Sequence, residues 1–304
     1  MIAFSLLTLV AGSAVHAQRG ERLRQWFAER ARQADANAPQ VAPGQTFSYG
    51  EDPAQRLVFW PAQGSQGKAP LILFVHGGGW QRGSKDNATG RWKPAHFTAG
   101  HYAFASIDYR LVPQATVEQQ AADIASALRA VIDRADALGI DRRRIVVMGH
   151  SAGAHLVALV GTDERYLRAA GLSFADLAGV IPIDGAAYDV PAQLRGGPQI
   201  MQPTYHQAFG KDPVRQRALS PTFQAGSPNA RDFLLLHVQR QDGAAQSEEL
   251  AEALRKGGSR VRIEGFEGQG LLGHLEINRR LGDPDYPATA VVDAWLAEIF
   301  GRRP

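Results

Sequence analysis

Short apolar runs alternate with helical patterns along most of the chain, and this alternation limits the possible folds more than any other feature. Leu71–Val75 (LILFV), Arg144–Met148 (RIVVM) and Phe233–Val238 (FLLLHV) are typical of buried strands. Between such runs, Val117–Leu138 and Ala152–Val160 carry apolar residues at helical spacing. Because strands that alternate with helices form mostly parallel sheets covered on both faces, the sequence predicts an α/β fold.

Length and composition indicate a soluble globular protein with one main domain. The chain has 304 residues, of which 44% are hydrophobic and 21% charged, which argues against disordered and multi-span membrane proteins. Its formal net charge is only +3 and its arginines occur singly or in short groups, so nucleic acid is not an expected partner. The chain has no cysteine, which excludes a disulfide scaffold, a thiol nucleophile and cysteine-ligated zinc.

The N-terminal segment predicts export. Residues 1–17 contain an apolar run followed by Val15-His16-Ala17, whose small flanking residues suit a signal-peptidase site. The run is shorter than the roughly 20 apolar residues that cross a bilayer, so we expect no stable membrane insertion after cleavage. The expected location is therefore secreted or periplasmic. No Lys or Arg precedes the run, and the alternative is a buried N-terminal helix in a cytoplasmic protein.

Two further regions follow the predicted signal peptide. Residues 18–45 are predicted to form a helix rich in Arg and Glu and then a linker with Pro and Gly. Residues 46–304 are predicted to form the α/β domain. Within it, the stretch at about 185–227 is too long for a simple connection. We expect it to form a lid-like insertion of one or two short helices over the sheet edge where ligands bind.

The strongest functional signal is Gly149-His150-Ser151-Ala152-Gly153, which lies between the strand RIVVM and a helical segment. The pattern G-x-S-x-G is common by chance, but the strand–turn–helix context is that of a nucleophile elbow. The glycines permit the tight turn that exposes the serine hydroxyl above the sheet. Ser151 is therefore the predicted nucleophile, and a turn without chemistry is the alternative.

A second signal, His76-Gly77-Gly78-Gly79-Trp80, follows the strand LILFV. Glycines allow backbone N–H groups to approach a developing oxyanion, whereas the spacing fits neither common phosphate-binding pattern. We expect His76 to hold this loop by a hydrogen bond. Trp80 either borders the substrate pocket or packs in the core beneath the loop.

HGGGW, SIDYRL and GHSAGA, in this order, resemble the α/β-hydrolase superfamily. The closest likeness is to its carboxylesterase branch, which includes BD-FAE-like esterases and relatives of hormone-sensitive lipase, and it runs from about Thr46 to the C-terminus. His150 and Ala154 depart from the lipase-type elbow GDSAGG, which disfavours a strict hormone-sensitive-lipase relative. The resemblance also implies that Asp108, in SIDYRL, supports the active-site loops.

HGGGW is also similar to the corresponding motif of kynurenine formamidases. That likeness implies oxyanion-hole donors at the N–H groups of Gly78 and Gly79. The resemblance adds the N–H of Ala152, the residue after the nucleophile.

The resemblance implies the chain order serine, acid, histidine. His274 follows the last predicted strand, Arg260–Phe266, in a predicted loop, and is the expected base. Asp242 follows the strand FLLLHV and is the expected acid, which would hold the imidazole in one tautomer. Asp184, after the strand VIPI, is the alternative acid.

These residues predict a serine carboxylesterase that acts through an acyl-enzyme on small-molecule esters of short acyl or aromatic acids, such as acetyl or feruloyl esters. The alternatives are an arylformamidase and a non-catalytic binding module on a hydrolase scaffold. No cofactor and no metal is expected, since His96 and His101 lie near each other without a convincing further ligand.

Overall fold

The computed structural model describes residues 29, 38–226 and 228–301. The chain divides into two units, Met1–Pro39 and Gln40–Pro304. The predicted signal peptide 1–17, and most of the predicted helix and linker at 18–45, lie outside the described residues, so export stays a prediction. None of the described helices is long and apolar enough to span a membrane.

The second unit is built on an eight-stranded sheet. In chain order its strands are β1 (Gln45–Ser48), β2 (Arg56–Trp60), β3 (Ala69–Val75), β4 (Ala103–Ile107), β5 (Ile140–His150), β6 (Gly179–Ile183), β7 (Asp232–Gln239) and β8 (Arg260–Gln269). In space the order is β1-β2-β4-β3-β5-β6-β7-β8. The β1–β2 and β2–β4 pairs are antiparallel and the remaining pairs are parallel. This is the predicted α/β arrangement, which is confirmed.

Helices connect these strands. In chain order they are α1 (Trp92–Ala99), α2 (Val117–Asp133), α3 (Ala135–Leu138), α4 (Ala152–Thr162), α5 (Glu164–Ala169), α6 (Val190–Gly196), α7 (Gln202–Phe209), α8 (Pro213–Ala218), α9 (Pro221–Gln224), α10 (Gln241–Lys256), α11 (Gly270–Arg280) and α12 (Pro287–Gly301). The helix predicted over Val117–Leu138 is interrupted at Arg134, which separates α2 from α3. Helices α1 and α11 are not predicted by the sequence patterns.

Apolar side chains pack on both faces of the sheet. Because successive strand residues point to opposite faces, β3 contributes to two separate clusters. Leu71, Leu73 and Val75 pack with residues of α2 and α4 on one face. Ile72 and Phe74 pack with residues of α12 on the other. Burial on both faces explains why β3 is a continuous apolar run rather than an alternating one.

In its described residues, the long connection between β6 and β7 carries four short α-helices, α6 to α9, and a 3₁₀ helix at Gln199–Met201, where the sequence predicts one or two short helices. Three of these helices, α6, α8 and α9, begin at an aspartate or serine that is followed within two residues by proline. Proline fits the first turn of a helix because the first backbone N–H groups have no intrahelical acceptor there. Strands β3, β5, β6, β7 and β8 are parallel, so the chain segments that follow them all lie at the carboxyl ends of the strands.

Candidate active site

Ser151 lies in a sharp turn between β5 and α4. Its φ of 57° and ψ of −117° are unusual for a residue with a side chain, as expected for a nucleophile elbow. A Cβ atom on Gly153 would lie 2.2 Å from the carbonyl oxygen of Val75. Only glycine therefore allows the elbow to pack this closely against the end of β3.

His274 brings its imidazole to the Ser151 hydroxyl. The sequence predicts a loop for this residue, whereas the structure places it in α11, which begins directly after β8. Its Nε2 is 3.0 Å from Ser151 Oγ, and its Nδ1 is 2.5 Å from Asp184 Oδ2. Since the carboxylate accepts a hydrogen bond from Nδ1–H, Nε2 is left to accept the serine proton.

The acid beside His274 is Asp184, and the predicted position of Asp242 as this partner is wrong. Strand β7 ends at Gln239 and α10 begins at Gln241, so no loop carries Asp242 toward the imidazole. The Asp242 carboxylate instead accepts a hydrogen bond from Gln193 Nε2 at 3.1 Å and lies 3.3 Å from Arg240 Nη1. Asp184, the alternative in the sequence, follows β6, which is the direct neighbour of the nucleophile strand β5.

The Asp184 carboxylate is buried and ionised. Burial raises the pKa of Asp184. The hydrogen bond from His274 and the Arg240 guanidinium lower it by more, so that the pKa falls to about 2. The backbone N–H of Val238 also donates to Asp184 Oδ1, at 3.2 Å. Asp184 has a φ of 42°, so Asp184 and Ser151 both stand on a strained backbone.

The glycine loop after β3 lies against the nucleophile. A Cβ atom on Gly77 would be 2.9 Å from Ser151 Cβ. Within the part of the chain that the structure describes, the N–H groups of Gly78 and Gly79 have no hydrogen-bond acceptor. The N–H of Ala152 belongs to the first residue of α4 and has no intrahelical acceptor. Gly78, Gly79 and Ala152 therefore stay the predicted oxyanion donors.

Two aromatic side chains and a carboxylate hold this loop and the segment after it. His76 Nδ1 is 2.7 Å from the carbonyl oxygen of Gly77, as expected, and its ring stacks on Tyr109 at 4.4 Å. Burial lowers the pKa of His76, which keeps the ring neutral. Asp108 accepts a hydrogen bond from the backbone N–H of Lys85 at 2.6 Å, in agreement with its implied supporting role.

Trp80 belongs to the core, which is one of the two positions predicted for it. Its side chain is only 2% exposed, and its ring packs edge-on against Tyr205, Phe209 and His155. The indole N–H donates to His155 Nδ1 at 3.3 Å, while His155 Nε2 is 2.8 Å from the Leu219 carbonyl oxygen. Burial lowers the pKa of His155 to about 4, so this ring is neutral and can accept from Trp80. Trp80 thus joins the glycine loop to the helices between β6 and β7.

We expect Trp80→Ala to lower the free energy of unfolding by about 3–5 kcal/mol, because it removes a fully buried aromatic side chain. Chemical denaturation measures this change. Leu271→Ala is the matched control, since Leu271 is 58% exposed and its removal should cost little. Equal stability of the two variants would contradict the core position of Trp80.

His150, within the elbow, is a supporting residue that the sequence patterns do not reveal. Its Nε2 is 2.8 Å from the carbonyl oxygen of His274, and the two rings lie 4.5 Å apart. Burial, together with the nearby His274, holds the pKa of His150 well below its usual value, so the neutral ring donates through Nε2–H. His150 therefore fixes the main chain of His274, whose imidazole contacts Ser151.

The histidine pair weighed for metal binding is engaged elsewhere. His96 Nε2 is 2.8 Å from Asp293 Oδ1, and His101 Nδ1 is 2.7 Å from the carbonyl oxygen of Gln63. Among the described residues, no group of three or more His, Asp or Glu side chains is arranged to hold a metal ion.

Comparison with solved structures establishes the fold. Esterase B from Lactobacillus rhamnosis superposes with a TM-score of 0.72 at 19% identity, covering 96% of each chain. A propionate-bound esterase from Thermogutta terrifontis superposes with a TM-score of 0.66 at 24% identity, covering 88% of this chain and 98% of the other. Residues 58–174 match the BD-FAE family model. The chain thus has the fold of these esterases, and its residues 58–174 are similar to the BD-FAE family.

The curated proteins that this chain is similar to include esterases. Esterase LipC from Mycobacterium tuberculosis is 32% identical over 202 residues, which cover 63% of this chain and 49% of the relative. An isoprenylcysteine alpha-carbonyl methylesterase from Arabidopsis thaliana is 34% identical over 110 residues, 36% of this chain and 25% of the relative. The chain thus spans about half or less of these relatives' own length.

Proposed function

We propose that this protein is an α/β-hydrolase that cleaves carboxylic esters, with Ser151 as nucleophile, His274 as general base and Asp184 as the acid that orients the base. One observation carries the proposal. Ser151 Oγ, His274 and the buried Asp184 carboxylate form a continuous hydrogen-bonded chain, with distances of 3.0 and 2.5 Å. This arrangement activates a serine that would otherwise be a weak nucleophile at neutral pH.

In the acylation step, Ser151 Oγ attacks the ester carbonyl carbon while its proton moves to His274 Nε2. The negative charge that develops on the carbonyl oxygen is stabilised by the N–H groups of Gly78, Gly79 and Ala152. His274 then gives its proton to the departing alcohol, and the acyl group remains on Ser151.

Deacylation repeats these roles with water. His274 takes a proton from a water molecule, whose oxygen attacks the acyl carbonyl carbon, and then returns that proton to Ser151 as the acid leaves. Throughout, the Asp184 carboxylate keeps the Nδ1 proton of His274 in place and stabilises the imidazolium that forms twice in each cycle.

The substrate that we propose is a small ester with a short acyl or an aromatic acid group. Met201 and Thr204 come close to the glycine loop, since a Cβ atom on Gly79 would lie 2.9 Å from Thr204 Cγ2 and 3.8 Å from Met201 Cε. Such close packing leaves little room for a long acyl chain on this side. Leu271, one helical turn before His274, is an exposed apolar residue.

We expect kcat/KM for p-nitrophenyl esters to fall from acetate or butyrate to palmitate, because the packing beside Gly79 excludes longer chains. The measurement is the initial rate of p-nitrophenol release across the series, with the reaction at zero enzyme as the baseline. Faster hydrolysis of laurate than of butyrate would contradict the proposed preference for short acyl groups.

A fluorophosphonate probe separates the ester hydrolase from the alternatives. Such a probe forms a covalent bond to an activated serine without requiring the natural substrate. Labelling of Ser151 without turnover of any p-nitrophenyl ester would favour the amide-type substrate of an arylformamidase. A folded protein that is not labelled would favour the non-catalytic binding module.

A further inference from the structure

Arg240 lies between β7 and α10, in the region where the sequence predicts the acid. All three guanidinium nitrogens point to groups around Asp184. Arg240 Nε lies 3.4 Å from Asp184 Oδ2, and Nη2 contacts the carbonyl oxygens of Asp184 and Gly185 at 3.4 and 3.0 Å. Nη1 is 3.3 Å from Asp242 Oδ2. One side chain thus contacts both the carboxylate and the main chain of the loop that carries the acid.

We infer that Arg240 is a positioning residue that holds the Asp184 loop in its strained conformation and balances the buried charge of Asp184 beside His274. The inference rests on the proposed function, since it assigns Asp184 to the acid. A residue with a positive φ persists only where its surroundings fix it, and Arg240 supplies two contacts to the carbonyl groups of this turn.

Asp242 and Gly243 in turn fix Arg240. A Cβ atom on Gly243 would lie 2.7 Å from Arg240 Nη2, so this glycine leaves the space that the guanidinium fills. Asp242 accepts from Gln193, which also donates to the Tyr205 hydroxyl at 2.9 Å. Asp242 therefore does not contact the imidazole and acts through Arg240. It orients Arg240 and joins it to α6, within the insertion between β6 and β7.

Among the described residues, Arg240 is the cationic side chain that lies beside the Asp184 carboxylate. The other elements around the Asp184–His274 pair also carry titratable groups. These are His150 in the elbow, Lys93 on α1, Tyr188 after β6, Tyr205 on α7, Asp242 on α10, Glu276 on α11 and Tyr286 before α12. His150 is neutral because burial holds its pKa well below the usual value. Lys93 contacts the carbonyl oxygens of Thr89 and Asn278.

Removal of the positive charge at Arg240 favours proton binding by the adjacent Asp184–His274 pair. A nearby cation disfavours the protonated pair, because the pair gains a positive charge when it binds a proton. The acid limb of the activity profile reports this protonation. In Arg240→Gln, its midpoint should therefore move to higher pH, by about one pH unit. Loss of the contacts to the Asp184 turn should also lower the maximal rate by about 10- to 100-fold.

The test follows the rate of Ser151 labelling by a fluorophosphonate, and kcat/KM for p-nitrophenyl acetate, from pH 4 to 9. Arg240→Gln is compared with wild type, with Arg240→Lys and with Arg262→Gln. Arg262 lies on β8 and contacts Glu264 at 2.9 Å, so its replacement controls for loss of an arginine elsewhere. Arg240→Lys keeps the charge but not the three-nitrogen contact. It should retain the wild-type midpoint and recover only part of the rate.

The outcomes separate the inference from the proposed function. A midpoint shifted only in Arg240→Gln supports the inference, whereas a lowered rate with an unchanged midpoint overturns it. If Arg240→Gln does not fold, a midpoint that moves in Arg240→Lys despite the retained charge overturns it instead. A folded wild-type protein that is not labelled overturns the proposed function, and the inference with it.

Discussion

Ser151→Ala is expected to lower kcat for p-nitrophenyl acetate by about 10⁶-fold relative to wild type. The substitution removes the one oxygen that lies 3.0 Å from His274 Nε2, and no other nucleophile takes its place in the proposed reaction. Residual catalysis would come only from the oxyanion donors and from substrate binding, which remain. The measurement is p-nitrophenol release at saturating substrate, together with loss of fluorophosphonate labelling.

Ser65→Ala provides the control for this experiment. Ser65 is exposed in a loop and its hydroxyl contacts the carbonyl oxygen of Gly67, so its removal should leave the rate unchanged. Thermal unfolding of both variants tests whether the fold persists after each substitution. A Ser151→Ala protein that retains more than about one hundredth of the wild-type rate would be incompatible with Ser151 as nucleophile.

The second large effect concerns the acid. Asp184→Asn should lower kcat by about 10⁴-fold, because the amide favours the wrong tautomer of His274. Asp242→Asn should lower it by less than about 10-fold, since the amide oxygen can still accept from Gln193 or Arg240. The two substitutions are chemically identical, so each serves as the control for the other, and the comparison of kcat needs no correction for the type of change.

The opposite ranking of the two asparagine variants would return Asp242 to the acid position that the sequence predicts. Equal losses would show that the acid is shared through Arg240 and not assigned to one carboxylate. Circular dichroism and unfolding temperature for both variants distinguish a lost orientation of His274 from a lost fold, because Asp184 is buried and its replacement leaves Arg240 without its buried anionic partner.

Much of the fold is predictable from the sequence because its signals are local. The apolar run at Leu71–Val75 and the pattern at Ala152–Val160 need no distant residue to define a strand and a helix, and both elements are present. Ser151 follows from the same local logic, since the elbow requires strand, glycine turn and helix in direct succession. Helix α11 is missed because its first residues, Gly270 to Gly273, have the composition of a loop.

The acid could not be chosen from the sequence, because Asp184 and Asp242 both follow parallel strands. The choice depends on the direction in which the chain leaves each of the two strands, β6 and β7. The chain after β6 turns through a residue of positive φ and points Asp184 to His274, whereas β7 passes directly into α10. The burial of Trp80 is equally a property of distant residues, since Tyr205 and Phe209 reach it from α7.

The base and the acid lie 90 positions apart in the chain, and the base and the nucleophile 123 positions apart. His274 is carried on α11, directly after β8, the strand at the sheet edge that is also the last to emerge during synthesis. A nascent chain that has formed only the elbow and the glycine loop holds a serine without its base. If the proposed reaction is right, hydrolytic competence arises late, when β8 pairs with β7, and recovery of activity after denaturation would report completion of the whole sheet.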